Sequence, residues 1–543
     1  MPVLTIRYDR LNSFLQKPFS RDQILELLPF IGLDIEDFDE EEVKVEYSPN
    51  RPDFGSPVGI AKALNYLNFG VEIKTEYALQ DSDICVNVDK DVENVRPYIL
   101  GLYAKLQFSE SVLKELISFQ EDLHNGIGRK RRKFAIGLHD ASKIRPPIYY
   151  TAEDGNFKFV PLYGSNPMAI NDILKQTEQG ILYSNILSSS NRFPVLKDSL
   201  GQVLSFPPII NGNVTVLTEG TKTLFVDVTA TGFSPAEDAL ALLATTLLDY
   251  GASVYRIKIV RLGKSFGCPM LNPKKMNLRI ENVKRVLGVS LDYKEVIETL
   301  KRVNMKALKR GNQLEVYVPR YRVDILHEVD LIEEVGYGYG YNRMTPLQPK
   351  LPQQAKPFRA KLFYGDIRLC LIGLGFTEVM NFYLSNRGLQ SPFSRSLIEV
   401  ESPKTKEYDV LRYSMLPQLL QVLSFNIHEQ YPQKIFEIGR TFELSNSNNI
   451  IESVKVAASI SSSNTTFTEI KSTALSILNY IGVKDFKIDT LSHEYLIGGR
   501  CASIENSSGR VGIFGEVSPT YITQASLRNP VTALEMDLTK LLK

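Results

Sequence analysis

Residues 321–342 read YRVDILHEVDLIEEVGYGYGYN, with Asp324, Glu328, Asp330, Glu333 and Glu334 crowded into an otherwise apolar run. On a helix starting at about His327, Asp330, Glu333 and Glu334 fall at i, i+3 and i+4. Their carboxylates then share one face, while Val329, Ile332 and Val335 line another. Asp324 stands just ahead, where a short acid is a good N-cap. Like charges at these spacings repel, and two explanations compete. The first turns of a helix favour acids through the macrodipole. Alternatively, the four carboxylates converge on a hard cation that takes oxygen ligands. Spacing alone does not choose between them.

Upstream, RIENVKRVLGVSLDYKEVIETLKRVNM (279–305) predicts a short helix, a turn at Gly288 and a second helix with Val296, Ile297, Leu300 and Val303 at helical spacing. The strand-like LEVYVP (314–319) follows, so 268–345 has the order of a winged-helix unit. Its second helix mixes Lys294, Glu295, Glu298 and Lys301, a poor surface for phosphates, which favours a structural or interaction role. Downstream, PLQPKLPQQAKP (346–357) reads as a Pro/Gln-rich linker. Residues 358–543 then predict another α/β domain: a helix at 358–374, followed by strands with glycine turns such as LIGGRC and VGIFGEVSP.

Toward the N-terminus, residues 1–80 alternate strand-like and helical patterns. They end in KVEYSPNRPDFGSPVGIAKALNYLNFG (44–70), where Pro and Gly punctuate a turn before an amphipathic helix. The polar LQDSDIC (79–85) suggests a boundary, and 81–262 mixes short β-rich runs such as KFAIGLHD and LFVDVT with a helix at 235–250, an α+β pattern. The expectation is therefore a multidomain α+β chain, in line with roughly three or four domains for this length.

Composition narrows the function. With 63 Lys+Arg against 62 Asp+Glu, no global field draws a polyanion, so any such partner is held by local patches. Four scattered cysteines form no CxxC, which argues against a disulfide framework or cysteine zinc site and fits a reducing cytosol. Five histidines show no ligand spacing, and GxxxxGK[ST], GxSxG, HExxH and the kinase set are all absent. Arg7, Asp9 and Arg10 interrupt any signal core. The longest apolar run, ALALLATTLL (239–248), falls far short of the ~20 residues that span a bilayer. A soluble, cytoplasmic protein without a membrane partner is expected.

Two further stretches bear on chemistry. GIGRKRRKFAIGLHDASK (126–143) sets five consecutive basic residues, Arg129 to Lys133, before a strand ending at His139 and Asp140. Such a run is either a solvated edge or a contact for a phosphate backbone. The two end residues suit a turn as well as chemistry. In 203–232, Pro207 and Pro208 stiffen one wall beside Ser205, and FVDVTAT places Asp227, Thr229 and Thr231 on one strand face by period two. That face is either solvated or lines a polar pocket for a small hydroxylated ligand.

PNRPDFGSPVGIAKAL, AIGLHD, SFPPIING with LFVDVT, YRVDI with DLIEEV and YGY, IGGRCASI and IFGEVSP together resemble the β subunits of phenylalanyl-tRNA synthetases, in their archaeal and eukaryotic cytosolic form. The resemblance implies an N-terminal B1-like module (1–80), a B3/B4 α+β editing-type domain (81–262) and a winged-helix-like B5 domain (268–345). Beyond the linker (346–357) it implies a catalytically inactive class II synthetase-like antiparallel-sheet domain (358–543). It implies Mg2+ on Asp324, Asp330, Glu333 and Glu334. It also implies a pocket for hydrolysing mischarged Tyr-tRNA at Leu196, Ser205, Asp227 and Thr229, with Pro207, Pro208 and Asn211 shaping its wall. No residue here is implied to catalyse aminoacylation: ATP and phenylalanine bind through an α subunit in an (αβ)2 heterotetramer that charges tRNA-Phe. The chain departs from the family pattern at Val323, at Gly336-Tyr337-Gly338 and at Thr229-Ala230-Thr231-Gly232. The other expectation is a non-enzymatic RNA-binding regulatory protein built on the winged-helix-like unit and the basic run.

Overall fold

The computed structural model describes residues 2–106, 109–188, 191–349, 355–445 and 447–542. It divides into two compact units, 1–348 and 349–543. The linker expected at 346–357 falls at this division, and its residues 350–354 lie outside the described ones.

The first unit opens with a three-stranded antiparallel sheet in which Glu42–Tyr47 lies between Val3–Arg7 and Leu33–Phe38. Val43, Val45 and Tyr47 alternate inward and are buried, as period two requires. The helix Pro57–Phe69 starts where the sequence punctuates it, with Ser56 capping the Gly59 N–H and Pro57 at the first position. Gly59 is obligatory: a Cβ there would lie 1.9 Å from the Asp53 carbonyl oxygen.

The centre of this unit is a ten-stranded mixed sheet. From one edge it runs Ile210–Asn211, Val203–Phe206, Phe193–Lys197, Ile148–Glu153, Gln80–Val88, Ser253–Arg261, Tyr98–Lys105, Thr223–Ala230 and Phe134–Asp140, with Lys264–Cys268 paired on Ser253–Arg261. Gln80–Val88 is parallel to both its neighbours, and the other pairings are antiparallel. The polar stretch read as a boundary at LQDSDIC is thus an interior strand. Its polar residues stay partly solvated, and only Val86 is fully buried. The apolar run ALALLATTLL lies in the helix Phe233–Asp249, buried from Ala239 to Leu247 against the sheet. No helix among the described residues is long and apolar enough to cross a membrane.

The unit closes with a second three-stranded sheet, Gln313–Val318 between Lys274–Leu278 and Lys306–Arg310. With it go the helices Ile280–Leu287, Tyr293–Lys301 and Glu328–Tyr339. Gly288, in the left-handed region at φ 72°, ends the first helix as predicted, and an Asp292/Glu295 capping box starts the second. In the acidic helix, Leu331, Ile332 and Val335 face the core, while Val329 is 55% exposed. The apolar stripe expected to begin at Val329 begins at Leu331 instead.

The second unit is a seven-stranded sheet: Thr377–Glu378, Gln433–Leu444, Ile450–Ser461, Val531–Asp537, Gly509–Val517, Leu496–Asn506 and Lys487–Thr490. All neighbours are antiparallel except the first pair. Helices Arg359–Gly373 and Phe467–Tyr480 share one core with it, and Leu416–Phe425 belongs to another.

Candidate functional site

The two edges of the ten-stranded sheet approach one another across a cleft of about 1050 Å³, a volume that includes open solvent. Ser205, Pro207, Pro208, Asn211 and Asp227, all singled out in the sequence, line it together. Leu196 and Thr229 do not. Leu196 is fully buried opposite Ser205 in the strand register. The Thr229 hydroxyl accepts from Arg96 Nε at 3.1 Å beneath the strand. Thr231 lies past the strand end and is exposed, and Thr223–Ala230 is buried almost throughout, so this strand has no solvated face.

The register of two antiparallel strands builds the polar centre. Phe134–Asp140 pairs with Thr223–Ala230 so that Gly137 sits opposite Asp227 and His139 opposite Phe225. His139 reaches back across the gap left by Gly137: its Nε2 lies 2.8 Å from Asp227 Oδ1 and its Nδ1 2.7 Å from Thr215 Oγ1. All three residues are buried. A carboxylate only accepts, so Nε2 carries a proton. A neutral ring then accepts the Thr215 hydroxyl proton at Nδ1. The imidazole fixes one oxygen of Asp227. The other, Oδ2, accepts no hydrogen bond among the described residues. Ser205 Oγ is likewise buried without a partner. A buried hydroxyl left unsatisfied costs roughly 1–3 kcal/mol, which a polar ligand would recover. The cleft thus offers a carboxylate oxygen and a hydroxyl, both held rigidly and both unpaired. Thr215 is not singled out by the sequence, and His139 only as a strand-end residue that suits a turn as well as chemistry.

Arg131 closes one wall. Its Nη1 donates to the Pro208 and Ile209 carbonyls at 3.3 and 3.0 Å, its Nη2 donates to Glu121 at 2.8 Å, and its guanidinium lies 4.4 Å above the Tyr183 ring. His124 Nε2 accepts the Ile136 N–H, so Nδ1 is its donor to Glu121. Burial alone would raise the Glu121 carboxyl; His124 and Arg131 together bring it down to about 2. Arg96, buried behind this wall and bonded to the Arg131 carbonyl, is lowered to about 10 by burial.

The acidic helix tells a different story. Asp324 is not its N-cap; that position is His327, three residues later, and the helix begins at Glu328. Asp330 serves the helix start instead, its Oδ2 accepting the Leu326 and His327 N–H groups at 2.7 Å each. Asp324 and Glu334 both grip Arg322, which is 2% exposed: Nε and Nη2 reach Asp324 at 2.9 and 2.7 Å, and Nη1 reaches Glu334 at 2.9 Å. The two carboxylates hold Arg322 charged against its burial. Burial raises Asp324, but Arg322 and then Arg51 outweigh it and leave the carboxyl below its usual range. Glu333 has no hydrogen-bond partner among the described residues. Burial, then the charges of Glu334, Asp330 and Asp324, push it up. Glu328 faces away, held by Arg279 and Asn282. Among the described residues no group of three or more His, Cys, Asp or Glu side chains is placed to hold a metal ion.

Residues 276–341 match the family model described as the tRNA synthetase B5 domain, and 346–538 match that of the phenylalanyl tRNA synthetase beta chain CLM domain. The phenylalanine–tRNA ligase beta subunit of Archaeoglobus fulgidus is 38% identical, with 99% of this chain and 98% of that protein covered. That of Methanosphaera stadtmanae is 34% identical over 99% and 100% of the two chains. The chain belongs to the phenylalanine–tRNA ligase beta-subunit family. An N-terminal fragment of the Pyrococcus horikoshii beta subunit superposes with a TM-score of 0.60 at 29% identity, covering 62% of this chain and 99% of that one.

Within this beta subunit, the B5 match contains the whole acidic helix, and the CLM match contains the whole seven-stranded sheet. Arg412, which precedes the helix Leu416–Phe425, is fully buried. It donates to the Arg440 carbonyl, Glu437 and Gln418, so its charge is spent inside the sheet. The cleft beside it carries Glu443, Glu494, Glu505, Glu535 and Asp537 against Lys455, Arg510 and Lys540. Lys455 is paired with Glu535 at 3.2 Å. A triphosphate entering there would meet an excess of negative charge.

Proposed function

We propose that this beta subunit works in the cytoplasm as half of an αβ pair within an (αβ)2 assembly. The α subunit binds ATP, phenylalanine and the reacting end of tRNA-Phe. The present chain contributes structure, a docking face and a hydrolytic pocket. The acid-rich cleft of the second unit and the internal pairing of Arg412 support its being catalytically silent in aminoacylation. Its exposed apolar side chains support a docking role: Phe358, Leu362, Leu369 and Ile372 on and before the helix Arg359–Gly373, and Met380 and Phe382 just beyond it. A monomer rarely exposes so many together, and a partner subunit covering them is the ordinary reason.

The observation that carries the editing function is the convergence of Asp227, held by His139, with the unpaired Ser205 hydroxyl in one cleft. A pocket selective for phenylalanine cannot strongly reject a molecule that merely adds a hydroxyl, so a second site must read that hydroxyl with polar partners. In our reading Ser205 receives the phenol of tyrosine. Asp227, through its free Oδ2, orients the water that attacks the ester carbonyl. The bond to the ribose oxygen breaks, releasing tyrosine and a free tRNA 3′ hydroxyl. Leu196 and Thr229 act from behind, by packing on Ser205 and tying Arg96 under the strand. We assign this work to a B3/B4-type domain at 81–262, between a B1-like module (1–80) and the B5 domain (268–345); the class II-like domain spans 358–543. The test is futile cycling: the assembled enzyme given tyrosine, ATP and tRNA-Phe should form AMP continuously. An Asp227→Ala subunit should instead accumulate Tyr-tRNA. AMP formation that is the same with and without Asp227 would remove this pocket from editing.

We also assign Mg2+ to the acidic face. Glu333, unpaired among like charges, is suited to a hard cation, with Asp330 beside it. Asp324 and Glu334 are already balanced by Arg322, so the residues fit an open, water-rich site better than a cage. Bound there, Mg2+ would neutralise the cluster and stiffen the helix. Mg2+ should raise the melting temperature of the chain, and Glu333→Gln should abolish that rise. An equal rise in the variant would place the ion elsewhere.

A further inference from the structure

The mouth of the cleft carries a feature that hydrolysis of the ester does not itself require. Arg129, Lys130 and Arg131 adopt φ of 50°, 52° and 63°, three successive non-glycine residues in the left-handed region. Strain of this kind persists only where surroundings over-determine it, and it clusters at functional sites. Here the turn is stitched to the helix before it by Gly128 N–H to the Leu123 carbonyl and Arg131 N–H to the His124 carbonyl. It is stitched to the cleft wall by the Arg131 guanidinium. Turning Arg131 inward leaves Arg129, Lys130 and Arg132 exposed and without ion-pair partners among the described residues. A fourth strained residue stands on the same cleft: Tyr163, at φ 61°, is 83% exposed, its N–H held by Asn213 Oδ1 at 3.1 Å. Both Arg131 and Tyr163 line the cleft.

We propose that this rim is a binding surface for the single-stranded 3′ end of the tRNA, with backbone phosphates on Arg129, Lys130 and Arg132 and a base stacked on Tyr163. The inference rests on the reading of the cleft as the hydrolytic pocket and adds how its substrate is held. Near-neutral net charge makes a local cluster the only electrostatic handle available. An exposed ring on a cleft that also carries a basic turn is the usual platform for an unpaired base.

The test uses the enzyme assembled with its α subunit and preformed Tyr-tRNA. Replacing Arg129, Lys130 and Arg132 together by Ala should raise KM for deacylation about tenfold or more with little change in kcat. It should also lower the slope of log KM against log salt by about 2. Tyr163→Ala should raise KM at least about fivefold, and Tyr163→Phe should restore it. Phenylalanine charging should be unchanged in each variant. Wild-type KM and salt slope in the triple variant would overturn the proposal. Absence of deacylation in the wild type would sink the hydrolytic reading instead. In that case a tRNA carrying a photoreactive base next to its 3′ end decides separately: cross-links at 129–132 or Tyr163 support the rim, and cross-links only elsewhere refute it.

Discussion

Gly137→Ala is a one-carbon perturbation whose consequence can be worked out in advance. A Cβ at this position would lie 2.2 Å from Asp227 Oδ1, 2.6 Å from His139 Nε2 and 3.0 Å from Asp227 Cγ. Carbon–oxygen contacts settle beyond 3 Å, so the carboxylate or the imidazole must retreat by about 1 Å. Neither is the end of a long flexible chain, and both are buried. The 2.8 Å bond between them therefore breaks. Losing a hydrogen bond to a charged group costs about 1.5–3 kcal/mol, and overpacking a filled interior about 1–3 kcal/mol. The first unit should thus lose a few kcal/mol, seen as faster amide exchange in the strand Phe134–Asp140. A displacement of about 1 Å at a reacting group can cost on the order of 100-fold in rate, so Tyr-tRNA deacylation should fall steeply while phenylalanine charging holds. Wild-type deacylation and wild-type exchange in Gly137→Ala would refute the role given to the His139–Asp227 pair.

Other outcomes follow from the same structure. Arg322→Met strips the cation from between two buried carboxylates and should cost about 3–5 kcal/mol, measured by denaturation of the first unit. Glu121, brought down to about 2 from its ordinary value near 4.5, contributes stability that is full above pH 4.5 and is lost as pH falls toward 2. Glu121→Gln should therefore flatten the acid limb of the stability curve. The effect is small, because that side chain is 42% exposed. Gly365→Ala, inside the helix Arg359–Gly373 with nothing within 4 Å of the new Cβ, should stabilise the second unit by about 0.5–1 kcal/mol in a melting experiment.

How far the sequence could be read depended on whether the deciding partner lay nearby in the chain. The helix ending at Gly288, the turn before Pro57 and the strand carrying Asp227 are local patterns, and all three stand where the spacing put them. The pair that holds Asp227 is not local. His139 is 88 residues away, and only the register of two antiparallel strands brings them together. The AIGLHD run held the signal, since Gly137 two residues before a histidine on a strand leaves a gap on the same face, but nothing local says what fills it. The acidic helix has a partner that its own spacing does not show: Arg322, two residues before Asp324, balances both Asp324 and Glu334. Gln80–Val88 looked like a boundary because a strand with one fully buried position carries little apolar alternation.

The central claim, that the cleft at Asp227 hydrolyses tyrosine wrongly joined to tRNA, is tested most directly by mixing preformed Tyr-tRNA with the assembled enzyme and following free tyrosine. The wild-type beta subunit should release it quickly and the Asp227→Ala subunit at close to the uncatalysed rate, with both assemblies charging phenylalanine equally. Equal tyrosine release by the two would contradict the assignment.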